Sequence, residues 1–403
     1  MSDPWSLSEN LARIRKARDL SQEQLAAAAG VAVDTVARIE RAERRTTRPS
    51  TVHKLAGALG VTPSVLLGIQ QPVGTVRVDV GDLRRAVTAT EHIAGLVEFT
   101  ERAEVIPVEV LTDMARRAWQ AYVDGRHAEL LCVLPPLLID ILRFAHSHQG
   151  DDRAAAHRVQ SAAYRLAAGV AGRFDLDDLA WTAAERAVQA AGSSDAPDLQ
   201  TAISVRYLVW TLVRQGRAEE AEQVAVKAAE RVEPGLLDPE QHRVGVFGNL
   251  MFNAAAAAIR SGNGGRAGDL LAVAQSAAVR FGRDHSSEAA IFGPRVAAFQ
   301  AVEQAVRLGD SEAALRLAER TPTTRGEVPA FWEAGHRLML AAASADLRAD
   351  RRAPAYLAEA RAIAPEWVRY QPLGAGTMRI LADRATRRRG LLFAVLATHY
   401  GVI

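Results

Sequence analysis

The stretch SQEQLAAAAGVAVDTVARIE, residues 21–40, holds two short apolar-periodic segments on either side of a glycine. Ser21 is followed three residues later by Gln24, a capping-box pattern that predicts a helix beginning at position 22. Gly30 is expected to end that helix in a tight turn. A second helix is predicted over 33–41. Two helices joined by so short a turn predict a helix-turn-helix.

Residue types and spacings on both sides extend this pattern. The segments that carry it are RKARDLSQEQLA (15–26), GV (30–31), VARIE (36–40), RP (48–49) and LAGALGV (55–61). Together they resemble the lambda-repressor-like, or XRE (Cro/C1-type), DNA-binding domain. The resemblance implies a five-helix domain over residues 1–68. The basic segment ERRTT (43–47) departs from the family, in which many members have a short turn beginning with glycine.

The resemblance also implies that the second helix of the motif enters the major groove of DNA and that its exposed early residues reach base edges. Val33, Asp34 and Arg38 occupy those positions. Arg38 can make a paired contact to guanine O6 and N7, Asp34 can accept from cytosine N4, and Val33 can touch a thymine methyl. The helix dipole also favours a carboxylate in a first turn, so Asp34 has a structural interpretation as well.

Phosphate contacts are expected from polar groups at helix starts and in the basic loop, because such groups hold DNA without reading its sequence. The candidates are Ser21, Gln22, Thr35, Arg44, Arg45 and Arg48. In family members the Arg15 and Glu40 positions form an internal ion pair, so both are assigned to structure. An alternative is that the fold survives here only as a protein-binding module.

The charge of the amino-terminal region bears on how it binds DNA. Residues 1–70 carry ten Lys and Arg against seven Asp and Glu. Phosphate neutralisation provides much of the affinity of a DNA-binding protein, so this small excess predicts weak binding by a monomer. A homodimer is therefore expected.

Beyond the first domain the chain has a period. Small or turn-forming residues recur every 41 to 47 positions between long helical segments, at Gly125, Gly172, Gly216, Gly262, Gly309 and Asp350. Each interval can hold a bulky helix and an alanine-rich helix, and such faces stack closely into a superhelix. The alternation over 107–364 resembles the tetratricopeptide (TPR) family, although the unit is longer than the ~34 residues of that repeat.

The predicted fold class is therefore all-α. A five-helix helix-turn-helix domain over 1–68 is followed by a linker over 69–81. A TPR-like α-solenoid of antiparallel helix pairs, expected to provide sensing and dimerisation, then covers 82–403.

The concave surface of such an array is built from the first helix of each pair, and it binds extended peptides or small ligands. Side chains four residues apart share one helix face, and the amides of Asn249 and Asn253 can bond a peptide backbone. The ligand-binding candidates are Arg206, Trp210, Asn249, Asn253, Arg295, Phe299, Trp332 and His336. For each of them a core position or a satisfied internal polar group is the alternative.

Catalytic chemistry is not indicated. No nucleophile with a base, metal-ligand set or phosphate-cradling glycine loop stands out, so neither an enzyme nor a cofactor is predicted. Cys132, the one cysteine, is expected to be buried and inert. Neither a signal peptide nor a membrane-spanning segment is evident, which favours the cytoplasm, with nucleoid association when DNA is bound.

A helix-turn-helix joined to a TPR-like array is similar to the RRNPP group of bacterial quorum-sensing receptors. The resemblance implies a ligand-responsive, sequence-specific transcriptional regulator. Its expected partners are double-stranded operator DNA, a signal peptide or small molecule, and a second copy of the chain. The alternative is a DNA-tethered adaptor whose array binds another protein and takes no small ligand.

Overall fold

The computed structural model describes residues 6–43, 47–67, 80–90, 106–235, 241–385 and 390–402, and these are almost entirely α-helical, as predicted. The first six helices are α1 (Leu7–Ala17), α2 (Gln22–Ala29), α3 (Val33–Glu40), α4 (Pro49–Leu59), α5 (Pro63–Leu66) and α6 (Gly81–Val87). The next eight are α7 (Val108–Val123), α8 (His127–Ser147), α9 (Gly150–Arg173), α10 (Asp177–Gly192), α11 (Pro197–Arg214), α12 (Ala218–Arg231), α13 (Gln241–Arg260) and α14 (Gly264–Phe281). Two short strands follow, β1 (His285–Ser286) and β2 (Ile291–Phe292). The chain continues as α15 (Pro294–Arg307), α16 (Ser311–Glu319), α17 (Ala330–Asp346), α18 (Arg352–Ile363), α19 (Pro365–Arg369), α20 (Pro372–Asp383) and α21 (Leu391–His399).

The helix-turn-helix is α2 and α3, and its local signals act as the sequence predicts. The Ser21 hydroxyl accepts from Gln24 N at 3.1 Å, and Ser21 N donates to Gln24 Oε1 at 2.7 Å, which completes the capping box. Gly30 ends α2 in the left-handed conformation, at φ 59°. Helix α3 ends one residue earlier than predicted.

Helices α1 to α5 enclose one small core. Its fully or almost fully buried members are Leu11, Ile14, Leu25, Ala26, Val36, Ile39, Val52, Leu55, Ala56, Leu59 and Leu66. Every helix of the five contributes at least one of them, so the region encloses a core of its own.

From α7 to α18 the helices come in antiparallel pairs that share one turn. In each pair the first helix ends at a residue with φ between 56° and 80°. The residue after it donates its N–H to a carbonyl five positions back, at 2.8 to 3.0 Å, which is the Schellman closure of a helix end. The left-handed residues are Gly125, Asp175, Gly216, Gly262, Gly309 and Arg348.

Two of the predicted turn positions are displaced. Gly172 lies inside α9, and the turn falls three residues later at Asp175. Near Asp350 the left-handed residue is Arg348. Neither turn residue is a glycine, which is why the sequence pattern placed both turns a few positions away. Aspartate tolerates the left-handed region better than most residues, whereas Arg348 adopts it at a steric cost.

Small side chains let the second helix of a pair pack closely on its neighbours. The buried faces of α10, α12 and α14 are dominated by alanine: Ala180, Ala183, Ala184, Ala187, Ala221, Ala225, Ala229, Ala267, Ala274 and Ala278. The predicted alternation of bulky and small helices is therefore present.

The sequence does not predict the hairpin between α14 and α15. Strands β1 and β2 pair antiparallel, with His285 opposite Phe292. The Phe292 ring is fully buried against α13, where Gly248 leaves room for it. A Cβ at Gly248 would lie 2.1 Å from Phe292 Cζ.

Cys132 lies on the exposed face of α8, so its predicted burial is wrong. Leu130, Leu134 and Leu138 supply the buried stripe of the same helix, and position 132 falls outside that stripe.

The chain divides into two compact units. The first contains the described residues before 79 together with Arg337 onward, and the second runs from the described residues after 79 to His336. In the first unit, α1 contacts the carboxy-terminal helices: Arg18 Nη1 donates to Thr398 Oγ1 at 3.0 Å, and Gly390 N donates to Asp19 Oδ1 at 3.2 Å. Most of the predicted linker lies outside the described residues.

No helix in the described ranges is both long enough and apolar enough to cross a lipid bilayer.

The Gly248 contact gives a stability test. Gly248→Ala is expected to destabilise the protein by about 1–3 kcal/mol, because the new methyl overlaps a ring that Phe252 and Phe281 hold in place. Gly268→Ala on α14 is the control: its Cβ meets only Gln304 Nε2, at 4.0 Å, and a gain of up to ~1 kcal/mol is expected. Urea unfolding measures both. Equal stability of the two variants would contradict this packing.

Candidate functional site

Helix α3 has one face buried in the domain core and one face exposed to solvent. Val36 and Ile39 are buried in the core of the first five helices. Val33 is 40% exposed, and the side chains of Asp34 and Arg38 are 60% and 52% exposed. The three residues predicted to read bases therefore share the outer face of a helix that the core holds in place.

Asp34 and Arg38 pair with each other in this structure. Arg38 Nε lies 2.8 Å from Asp34 Oδ2 across one helical turn. Exposed pairs of this kind contribute roughly 0–1 kcal/mol, so Arg38 can exchange its carboxylate for a guanine edge at little cost. The pair also supports the structural interpretation of Asp34 beside the base-reading one.

A buried ion pair fastens α3 to α1. Arg15 Nε donates to Glu40 Oε1 at 2.6 Å and Arg15 Nη2 to Glu40 Oε2 at 2.7 Å, with both side chains less than a tenth exposed. Arg15 Nη1 also donates to Leu20 O, and Gln22 Nε2 donates to Glu40 Oε2 at 2.7 Å. The assignment of Arg15 and Glu40 to structure is confirmed. This bidentate pair holds the end of α3 against α1, and the Gln22 bond links the same carboxylate to the start of α2.

The predicted phosphate contacts lie mainly at helix starts. Ser21 caps α2, and Arg48 is the exposed residue that precedes α4. Thr35 is half-buried in the first turn of α3. Gln22 is half-buried and its amide is bonded to Glu40, which the sequence does not reveal. Arg44 and Arg45 lie outside the described residues.

The second unit contains a cavity of about 190 Å³. Its walls come mostly from the first helices of successive pairs, α7, α11, α13, α15 and α17, with one residue from β2. The lining residues are Trp119, Tyr122, Arg206, Tyr207, Trp210, Asn249, Phe252, Asn253, Ile291, Gln300, Phe331 and Trp332. Five of the eight predicted ligand residues, Arg206, Trp210, Asn249, Asn253 and Trp332, are among them.

Three polar residues of the cavity donate to backbone carbonyls. Asn249 Nδ2 donates to Ile291 O at 2.8 Å, and Asn253 Nδ2 donates to Arg206 O at 3.2 Å. Arg206 Nη1 donates to Ala289 O. Asn249 and Arg206 therefore bind the backbone of the β1–β2 hairpin. For Asn249 this is the backbone bonding that the sequence predicted toward a peptide.

Aromatic rings supply most of the remaining wall. Trp119 stacks on Tyr122 with ring centroids 5.9 Å apart, and the edge of Tyr122 meets Phe331 at 6.2 Å. Sequence reasoning missed Trp119, Tyr122 and Phe331, because an aromatic residue on an apolar helix looks the same whether it fills a core or lines a cavity. The signal available was that each lies on the first helix of a pair.

Three predicted ligand residues do not line this cavity. Arg295 forms ion pairs with the buried Asp284 at 2.8 Å and with Glu333 at 3.1 Å. Phe299 and His336 are buried and stack on each other, with centroids 4.1 Å apart. Each of the three has a structural partner.

Comparison with known proteins agrees with the geometry of the amino-terminal domain. Residues 11–66 match the family model described as Helix-turn-helix. The amino-terminal domain is therefore an XRE-type helix-turn-helix domain, the class that DNA-binding regulators use. No curated protein matches the chain.

Among solved structures, one similar chain is PlcR of Bacillus thuringiensis, in the crystal structure of its complex with the peptide PapR7 and DNA. The match covers 78% of this chain and 94% of PlcR, with 14% sequence identity and a TM-score of 0.36. Both values are low, so this similarity supports no residue assignment.

The Arg15–Glu40 pair predicts that removing one partner destabilises the domain more than removing both. Arg15→Met is expected to destabilise the amino-terminal domain by about 3–5 kcal/mol, because it leaves the Glu40 carboxylate buried without its cation. Adding Glu40→Leu is expected to recover most of that loss, since no buried charge then remains. Chemical unfolding of both variants, with Arg316→Met on an exposed pair of α16 as the control, measures the difference. A double variant less stable than Arg15→Met would refute the account.

Proposed function

We propose that this protein is a ligand-responsive, sequence-specific transcriptional regulator that binds operator DNA as a homodimer. The observation that carries the proposal is the exposed face of α3, with Val33, Asp34 and Arg38 on a helix fixed from behind by Val36 and Ile39. Recognition helices of this class enter the major groove with their early residues on base edges. The domain presents that face on a rigid support.

Specificity and affinity are divided between two groups of residues. Arg38, with Asp34 and Val33, reads base edges, and Arg38 is the main determinant because its fork matches the two acceptors of guanine. Ser21, Gln22, Thr35, Arg44, Arg45 and Arg48 position the duplex through its phosphates. Each domain offers few cations, so two copies are needed for useful affinity.

The cavity of the second unit is the proposed sensor. A ligand regulates DNA binding only if it binds one arrangement of the array more tightly than another. Two recognition helices must sit about 34 Å apart, or a multiple of that distance, to reach successive major grooves. A ligand that changes the arrangement of the dimer therefore changes operator affinity.

The DNA-binding proposal predicts that two substitutions weaken DNA binding in different ways. Arg38→Ala is expected to cost about 1–3 kcal/mol on the operator and to relax specificity at one base pair. Arg48→Ala is expected to weaken operator and random DNA alike and to lower the salt slope by about one. Fluorescence anisotropy on both duplexes over a salt series measures each. Equal losses on operator and random DNA for Arg38→Ala would remove Arg38 from base reading.

The sensing proposal is tested by footprinting on genomic fragments, with and without a small-molecule extract of the source cells. Protection of a defined site is expected, and the extract is expected to shift its midpoint concentration. If the protein shows no preference for any genomic fragment over scrambled duplex at moderate salt, it is not a sequence-specific regulator. If it protects a site and only a protein fraction shifts the midpoint, the array is an adaptor rather than a ligand sensor.

A further inference from the structure

The β1–β2 hairpin occupies part of the concave surface that the sequence assigns to a ligand. Arg165 pairs with Glu288, Arg206 donates to Ala289 O, and Asn249 donates to Ile291 O. Three successive contacts therefore hold the turn of the hairpin and the start of β2 against α9, α11 and α13. Phe292, at its end, is fully buried beside Gly248, so the hairpin is a permanent part of the wall.

The space left beside the hairpin is small. A cavity of about 190 Å³ is somewhat larger than the ~150 Å³ cavity that accepts a benzene molecule in a protein core. Its volume therefore suffices for one ring-sized group with a short substituent. Of the two amides that the sequence assigned to a peptide backbone, Asn249 already donates to the hairpin and Asn253 donates to Arg206 O.

Arg206 supplies the cavity with a charge that no carboxylate balances. Within the described ranges Arg206 has no ion-pair partner, and Ala289 O is the acceptor of Nη1. The neighbouring Tyr207 is neutral at pH 7, because burial raises its pKa to about 12. Glu288 lies one residue from Ala289, but it pairs with Arg165.

A second cation lies behind the aromatic wall. The guanidinium of Arg173 sits 4.0 Å from the ring centroid of Tyr122 and 5.2 Å from that of Phe331. Its Nη1 bonds His127 Nε2 at 3.0 Å, and burial together with the Arg173 charge lowers the pKa of His127 to about 3, so this partner is neutral. In the described part of the chain no carboxylate pairs with Arg173. Two guanidiniums that pair with no carboxylate among the described residues therefore lie at or directly behind the cavity wall.

Other arginines near the array are neutralised. Arg214, eight residues beyond Arg206 on α11, lies 2.7 Å from Asp175 and 2.6 Å from Asp177. Arg295 pairs with Asp284 and Glu333. The contrast matters because a half-buried charge usually has a partner of opposite charge. Among the described residues the partners of Arg206 are neutral: Ala289 O and the ring of Tyr207, 5.7 Å away.

Aromatic walls of this kind also suit cationic ligands, which bind over the ring faces. Arg206 argues against a cation here, since it places a like charge at the same cavity. An anion gains both from the guanidinium fork and from the apolar rings around its body.

We propose that the cavity binds a small carboxylic acid with a single ring-sized apolar body, its carboxylate on Arg206 and its body among Trp119, Trp210 and Trp332. This inference rests on the proposed sensing role of the second unit and names the chemical class of its ligand. The hairpin takes one donor each from Asn249 and Arg206, and Arg206 keeps further N–H groups that can bind a carboxylate.

Tryptophan fluorescence of the full-length protein tests the proposal directly, because three lining residues are tryptophans. The probes are benzoate and phenylacetate, their neutral amides, and an acetylated, amidated peptide with the sequence of residues 288–292. We expect saturable quenching by at least one acid and weaker binding of its amide. Arg206→Gln is expected to weaken the acid on the order of tenfold to hundredfold and to leave the amide unchanged.

Two variants complete the design. Arg206→Lys keeps the charge without the fork and is expected to recover part of the acid affinity. Arg266→Gln removes from α14 a cation that Glu222 neutralises, away from the cavity lining, and is expected to leave the preference for acid over amide intact.

Several outcomes would overturn the proposal: an amide that binds as tightly as its acid, peptide binding without acid binding, no binding of any probe, or loss of acid and amide together in Arg206→Gln. The assay contains no DNA, so it is separate from the regulator proposal. Acid binding with no change in operator affinity would refute the linkage to DNA and leave the site assignment standing.

Discussion

The array depends on one backbone event repeated in every helix pair. A residue in the left-handed region ends the first helix, and the N–H after it closes onto a carbonyl five residues earlier. The closure satisfies carbonyls that a helix end otherwise leaves without partners, and it reverses the chain within a few residues. Alanine faces then let the second helix approach closely. The first helices consequently stand in sequence along one surface, where the cavity forms.

The same surface shows how a repeat protein acquires a pocket rather than an open groove. The hairpin between α14 and α15 bonds to Arg165, Arg206 and Asn249, and it anchors through Phe292. Part of the groove is thereby filled by the chain, and the rest is lined by rings and one unbalanced guanidinium. A local insertion between two helices thus sets both the size and the charge of the space offered to a ligand.

The amino-terminal domain applies a different principle, in which a buried pair supports an exposed one. Arg15 and Glu40 are enclosed and bidentate, whereas Asp34 and Arg38 on the same helix are exposed and joined by a single contact. Breaking the buried Arg15–Glu40 pair costs several kcal/mol of stability, whereas breaking the exposed Asp34–Arg38 pair costs roughly 0–1 kcal/mol. Helix α3 is therefore fixed in position while its outer side chains stay free to exchange partners.

The sequence alone determined the helix-turn-helix, because capping residues, glycine turns and apolar spacing act within a few positions of one another. It also determined the pairing of helices and five residues of the cavity wall, since helical periodicity fixes which side chains share a face. Only the tertiary structure decided that Arg295, Phe299 and His336 have partners away from the cavity, and that Arg206 has no carboxylate partner among the described residues. It also decided that the hairpin takes the donors of Asn249 and Arg206. Those outcomes depend on contacts between residues 11 to 83 positions apart. Local sequence patterns do not specify which of these residues meet in the folded chain.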